Sequence, residues 1–357
     1  MRRGLRRGFG IIVLFIVLST AFGCKNNNGI VSYKELKFDN EVAVEIDTLT
    51  GEQLWGGTAK IQLINDRLYV VAFEQGDPTT WVHVFDTAGN KIRDLIPFGR
   101  GPKEASMITT AQVIDSALCL FDPQVYKDIS IIEDPVSGSY KVSEEHRNRE
   151  KWVWNCLKAS GKMISLYCPG PQSDETDMPR FVLRSSAGSV IDEYRGSPFD
   201  DEAPAVKFYL EAMRSCSALS NNAKNYAISY CDAGILQLFS IGDGIKNTFT
   251  GFYYPHSLTL KDNQVVPQDK SRPFINTLYA SESYLFASYD GEEYQKGDNR
   301  LLYTKIAVFD WKGRPRLLIK CDYRIEALCY SESDYTIYAV LVDSSHAYRL
   351  GKFKIRI

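Results

Sequence analysis

Trp81-Val82-His83-Val84-Phe85-Asp86-Thr87-Ala88-Gly89-Asn90 and, far downstream, Lys305-Ile306-Ala307-Val308-Phe309-Asp310-Trp311-Lys312-Gly313-Arg314 are one unit written twice. In each, an alternating strand ends in Phe-Asp, two residues pass, and a Gly admits the positive φ of a tight turn into another strand. The Asp side chain can accept from backbone N–H groups just downstream, so the unit is a hairpin with its own turn chemistry. Weaker copies lie between: Asp128-Ile129-Ser130-Ile131-Ile132 turning through Ser137-Gly138, Phe181-Val182-Leu183-Arg184 through Ala187-Gly188, and Leu236-Gln237-Leu238-Phe239 through Gly242-Asp243-Gly244. A two-strand pattern precedes each copy, as in Ile61-Gln62-Leu63-Ile64, then Asn65-Asp66, then Leu68-Tyr69-Val70-Val71.

Four strands per unit is the blade of a β-propeller, and the spacing of roughly 45–70 residues is that of such repeats with loop insertions. Counted from Lys60, the units give five complete blades and three further strands near Ile325–Cys329, Thr336–Val342 and Tyr348–Ile355. The expected fold is therefore all-β, a six-bladed propeller of four-stranded antiparallel blades, with seven blades the alternative. Glu41-Val42-Ala43-Val44-Glu45-Ile46, early in the chain, supplies the missing outer strand of the last blade. Closing the ring in this way removes exposed strand edges.

The 357 residues are 44% hydrophobic, with Tyr and Phe plentiful, as befits a globular chain built of strands. The 42 basic and 44 acidic residues nearly cancel, which excludes the electrostatic footprint of a nucleic-acid binder. At the start, Arg2, Arg3, Arg6 and Arg7 precede an apolar run from Ile11 to Leu18 and then Ala21-Phe22-Gly23-Cys24, the charged–apolar–small order of a secretory signal. The stretch from Phe9 to Phe22 falls short of the roughly 20 residues that span a bilayer.

These features together resemble the TolB-like six-bladed propeller lipoproteins and, more distantly, the NHL-repeat propellers. The resemblance rests on the lipobox at Cys24, on the two Phe-Asp-x-x-Gly hairpins, and on Phe98-Gly99-Arg100-Gly101-Pro102-Lys103-Glu104. The last is similar to the Gly-x-Gly-Pro-Gly-Glu linker between blades, with Lys103 in place of the third Gly. It implies a signal peptide over 1–23, lipidation of Cys24, a flexible tether over 24–37 and one propeller domain over 38–357. It also implies attachment to the membrane through the lipid, in the cell envelope, on the periplasmic side of the outer membrane.

Beyond Cys24 an odd number of cysteines remains, so no complete disulfide framework follows, and their apolar neighbours suit buried thiols. Cys216 and Cys231 flank Asn221–Asn225 nearly symmetrically and could face each other across a hairpin. No Cys-x-x-Cys or paired-histidine spacing marks a metal, and no nucleophile elbow, phosphate loop or dinucleotide fingerprint marks a cofactor. No catalytic residue is nominated.

Connection lengths carry the functional expectation. Turns joining the first to second and third to fourth strands of a blade are short, whereas Glu74–Thr80, Phe98–Met107, Pro169–Pro179, Arg195–Leu210, Phe252–Pro273 and Asp290–Arg300 are long and fall on the opposite face. One-sided insertion points to a binding face. Its candidate residues are Phe98, Arg100, Glu104, Phe199, Tyr209, Phe252, Tyr253, Tyr254 and His256, since aromatics dominate recognition surfaces. The acids there (Asp174, Glu175, Asp177, Asp200, Asp201, Glu202, Glu292, Glu293) read as a solvated charge run. The expected role is binding or scaffolding of a protein or glycan partner. The alternative is a hydrolase or lyase acting on a carbohydrate or ester at the central channel mouth.

Overall fold

A computed structural model describes residues 32–51, 59–73, 79–146, 153–159, 161–167, 178–262, 264–295 and 297–357. The signal segment, Cys24, Cys168, Asp174, Glu175 and Asp177 lie outside the described residues.

Each blade is an antiparallel meander whose first strand faces the axis. Blade 1 comprises Lys60–Ile64, Arg67–Val71, Thr80–Asp86 and Lys91–Pro97, and blade 2 comprises Thr110–Ile114, Ala117–Asp122, Lys127–Glu133 and Tyr140–His146. Blade 3 is Val153–Ala159, Lys162–Tyr167, Phe181–Ser185 and Val190–Tyr194. Blade 4 is Ser215–Leu219, Asn225–Tyr230, Ala233–Ile241 and Ile245–Tyr254. Blade 5 is Ile275–Ala280, Tyr284–Tyr289, Lys305–Asp310 and Pro315–Lys320, and blade 6 begins with Arg324–Ser331, Thr336–Val342 and Tyr348–Lys354. The innermost strands touch their neighbours all the way round, that of blade 6 meeting that of blade 1, so the ring is closed.

Why these strands alternate so little in polarity follows from the ring. A middle strand of a blade is covered on both faces, so successive side chains feed two different cores. Leu68 and Val70 enter the core shared with blade 6, while Tyr69 and Val71 enter the core shared with blade 2. One such wedge fills every junction between blades. The outer strand Lys91–Pro97, covered on one side only, is largely exposed.

The hairpin chemistry is as the repeat implies. Asp86 Oδ1 accepts from the N–H groups of Ala88 and Asn90 at 3.0 and 2.8 Å, and Gly89 sits at φ +91°. Asp310 repeats this with Lys312 and Arg314 at 2.9 and 3.0 Å, and Gly313 sits at φ +76°.

Closure of blade 6 by an early strand holds, but the strand is not the one expected. Asp47–Thr48 pairs antiparallel with Tyr348–Lys354 and completes the sixth blade. Within the expected Glu41–Ile46, the residues up to Ala43 belong to Asn40–Ala43, which runs parallel to Pro315–Lys320 as a fifth strand on blade 5. The chain thus crosses one junction while pairing on both sides of it. Gly351 leaves room for this approach: an added Cβ there would lie 2.7 Å from Ile46 Cγ2 and 2.4 Å from Leu341 Cδ1. Residues 34–38, which the sequence reading places at the end of the tether and the start of the domain, are seated on the propeller. Lys34 N–H donates to the Phe252 carbonyl at 2.8 Å, and Phe38 packs on Tyr289 and Phe309.

Candidate ligand-binding site

Strand direction puts the second-to-third and blade-to-blade connections on one face, and the long ones lie there: 98–109, 195–214, 255–274 and 290–304. Turns such as Asn65-Asp66 and Asp115-Ser116, with both residues at positive φ, are all that the opposite face carries at those blades. The innermost strands start at the long-loop face, and there a cavity of about 420 Å³ lies on the axis. Every blade contributes to it through its first strand: Lys60, Thr110, Asn155, Ser215, Thr277 and Glu326. Its size is that of a small-molecule or chain-end pocket.

The mouth is polar and tied from blade to blade. Gln62 Nε2 donates to the Ala111 carbonyl at 3.0 Å, Thr109 Oγ1 to the Trp154 carbonyl at 2.8 Å, and Thr110 to Asn155 Oδ1. Trp154, 36% exposed, also lines this rim. Two cations reach the wall. Burial pushes the Lys60 ammonium below its ordinary range, with Cys216 and Glu326 pulling the other way. Arg214 is clamped by Asp232 at 2.6 and 3.1 Å, which drives the guanidinium still further from losing its proton. Among the described residues the cavity's one carboxylate is Glu326, held by Arg324 at 3.0 Å.

The residues nominated from the sequence all sit on this face, in two different settings. Phe98 is 46% exposed and packs edge-on against Phe73 and at a tilt against Trp81 on the outer rim of blade 1. Arg100 is exposed, but Glu104 turns inward: its Oε2 accepts from Gly101 N–H at 2.7 Å, and Gly101's carbonyl accepts from the buried Lys127 ammonium at 2.9 Å. Phe199 (3% exposed) packs edge-on against Tyr230, and Tyr254 (7%) donates its hydroxyl to the Pro273 carbonyl at 2.9 Å. These two are the loops' own core and are unavailable as contact surface, a correction to the expectation. Tyr209, Phe252 and Tyr253 are half-buried supports of the same cores, and burial raises the Tyr253 phenol pKa.

His256 joins the two longest loops, its Nε2 lying 2.9 Å from Glu202 Oε1. Its Nδ1 accepts from Leu258 N–H at 3.3 Å, which places the ring proton on Nε2, facing the carboxylate. The loop acids are likewise engaged with loop cations, Asp200 with Lys207 at 2.7 Å and Glu293 with Lys270 at 2.8 Å. Among the described residues, no group of three or more His, Cys, Asp or Glu side chains is placed to hold a metal ion. Lys60, Trp154 and Glu326 were not singled out by the sequence reading. The available signal was a polar residue within the first three positions of each unit's first strand.

The fold and this axial site define a six-bladed β-propeller. Among solved structures, a Bacteroides fragilis protein provisionally described as exported aligns with a TM-score of 0.51 at 13% identity, over 87% of this chain and 95% of that one. A member of the DUF4221 family from Bacteroides vulgatus gives 0.51 at 10% identity, over 88% and 98%. A calcium-binding protein, regucalcin, from Agrobacterium tumefaciens gives 0.45 at 8%, over 88% and 95%. At such identities the likeness shows the fold alone. No protein-family model matches the chain, and no curated protein does.

Proposed function

We propose that the chain is an envelope-tethered propeller that binds a glycan, free or protein-borne, by admitting a chain end into the axial cavity on its long-loop face. The observation that carries this is the composition of the mouth: amide and hydroxyl side chains from several blades together with Trp154, 36% exposed. Sugars offer hydroxyls to such groups and a C–H face to an indole. The alternative, a hydrolase or lyase on a carbohydrate or ester, calls for a general acid and base flanking the reacting bond. Among the described residues Glu326 is the one acid lining this cavity, and it is paired with Arg324.

The tether belongs to the same proposal. Lipidation at Cys24, in a TolB-like lipoprotein, would hold the loop face toward envelope polymers from the periplasmic side of the outer membrane. Among the described residues no helix is long and apolar enough to cross a membrane. Mass spectrometry of the N-terminal peptide from membrane-extracted protein tests the tether: a diacylglyceryl Cys24 is expected, and an unmodified peptide beginning elsewhere overturns it.

Binding is tested by calorimetry against oligosaccharides released from the envelope. Trp154→Ala is expected to weaken affinity about 5–30-fold, the loss of about 1–2 kcal/mol that an aromatic platform supplies. Unchanged affinity in that variant overturns the glycan reading.

A further inference from the structure

Three charged side chains line the axial cavity among the described residues, and two of them are neutralised from outside the lining. Arg214 is clamped by Asp232 at 2.6 and 3.1 Å, and Glu326 is held by Arg324 at 3.0 Å. The third is Lys60, at the start of the inner strand of blade 1. Ala59 and Ile61 enter the core shared with blade 6, so strand alternation sets Lys60 on the other face, together with Gln62. Gln62 Nε2 is committed to the Ala111 carbonyl at 3.0 Å. Among the described residues the Lys60 ammonium makes no hydrogen bond and no ion pair.

The rest of the described wall brings Lys60 no bonded counter-charge. Thr110, Asn155 and Thr277 are neutral, and Cys216 is a free thiol whose S–H donates to the Ile275 carbonyl at 3.8 Å. Ser217, in the same wall, has a buried hydroxyl with no bonded partner. Among the described residues the site therefore carries one net positive charge and an unused hydroxyl around a space of about 420 Å³. Burial is the largest influence on the Lys60 ammonium and draws it toward losing its proton. An unpaired charge withdrawn from water opposes folding, and an anion that binds beside it restores what was lost.

We propose that the chain end admitted to the axial cavity is acidic, a sugar carboxylate that forms an ion pair with the Lys60 ammonium. This rests on the reading of the cavity as a glycan site and names the class of glycan it takes. The charge count selects the anion: one unneutralised cation matches one carboxylate, whereas a phosphate, with close to two negative charges at pH 7, leaves charge unmet. Lysine suits the role because its ammonium is a point charge with three donors on a flexible stem, able to follow a carboxylate presented at the mouth. A neutral sugar forfeits this pairing and leaves the lysine as it stands in the empty wall.

The test is calorimetry of the intact protein against envelope oligosaccharides separated by anion exchange into neutral and acidic fractions. The acidic fraction is expected to bind, to lose at least about tenfold in affinity when its carboxyls are reduced to alcohols, and to keep its affinity after phosphatase treatment. Lys60→Met is expected to lose at least about tenfold toward the acidic fraction and to raise the urea midpoint, since it removes the unpaired charge. Preference for the neutral fraction, affinity that survives carboxyl reduction or Lys60→Met, or loss to phosphatase alone overturns the acidic end and leaves the glycan reading standing. Binding of neither fraction overturns both. A lowered urea midpoint in Lys60→Met assigns the lysine to the fold and overturns the proposal without reference to any ligand.

Discussion

Gly89 answers two separate demands. Its φ of +91° is the turn's requirement, and an added Cβ would also lie 2.5 Å from the Leu49 carbonyl oxygen. Gly188 holds the corresponding turn of blade 3 at φ +85° with nothing within 4 Å. Alanine at 188 is therefore expected to cost about 1–2 kcal/mol, the left-handed penalty alone, whereas alanine at 89 should cost about 3 kcal/mol or more because Leu49 must move. Urea unfolding of the two variants checks this, and equal losses would remove the contact argument. At Asp343 the expectation concerns pH. Ser345 Oγ, at 2.5 Å, leads a set of donors, including Arg349, that holds this carboxyl down to about 2 against an ordinary 3.8. A folded-state value below the unfolded one stabilises fully above about pH 4, and the contribution fades as pH falls through about 2. Asp343→Asn should flatten that acid limb of the stability curve.

At the scale of elements, the long loops stay ordered because they carry their own interiors. Asp290, 2% exposed, takes two bonds from Arg300 at 2.9 Å each and one from Tyr303 N–H at 2.9 Å, which folds 290–304 back on itself. Arg300→Met leaves that carboxylate buried without its cation and is expected to cost about 3–5 kcal/mol, with new proteolytic nicking in 290–304. Loss below about 1 kcal/mol would show that the backbone donors suffice. The same principle explains what the sequence made legible. The hairpins were readable because Phe-Asp-x-x-Gly is local turn chemistry. Phe199 and Tyr254 were misread because a loop aromatic that anchors its loop and one that faces a partner look alike before the chain folds. The N-terminal strand was displaced by a few residues because Glu41–Ile46 has the alternation of a strand on either blade, whereas the folded chain pairs Asn40–Ala43 on blade 5 and Asp47–Thr48, close against Gly351, on blade 6.

For the whole molecule, closure creates the site. Lys60, Thr110, Asn155, Ser215, Thr277 and Glu326 belong to separate units, and no motif links them until the ring joins blade 6 to blade 1. That is why the one-sided loop lengths were legible in the sequence and the residues lining the cavity were not. Removing residues 32–50 should bare the edge of Tyr348–Lys354 and that of Pro315–Lys320, giving lower denaturation midpoints and self-association by size-exclusion chromatography. A monomer of undiminished stability would argue against closure by this segment. The central claim, that ligand enters at the axis on the long-loop face, is tested most directly by hydrogen–deuterium exchange with and without envelope oligosaccharide. The expected result is slowed exchange at 60–62, 109–111, 154–156 and 276–278 with little change at 65–66, 87–90 and 312–314; protection confined to those short turns would contradict it.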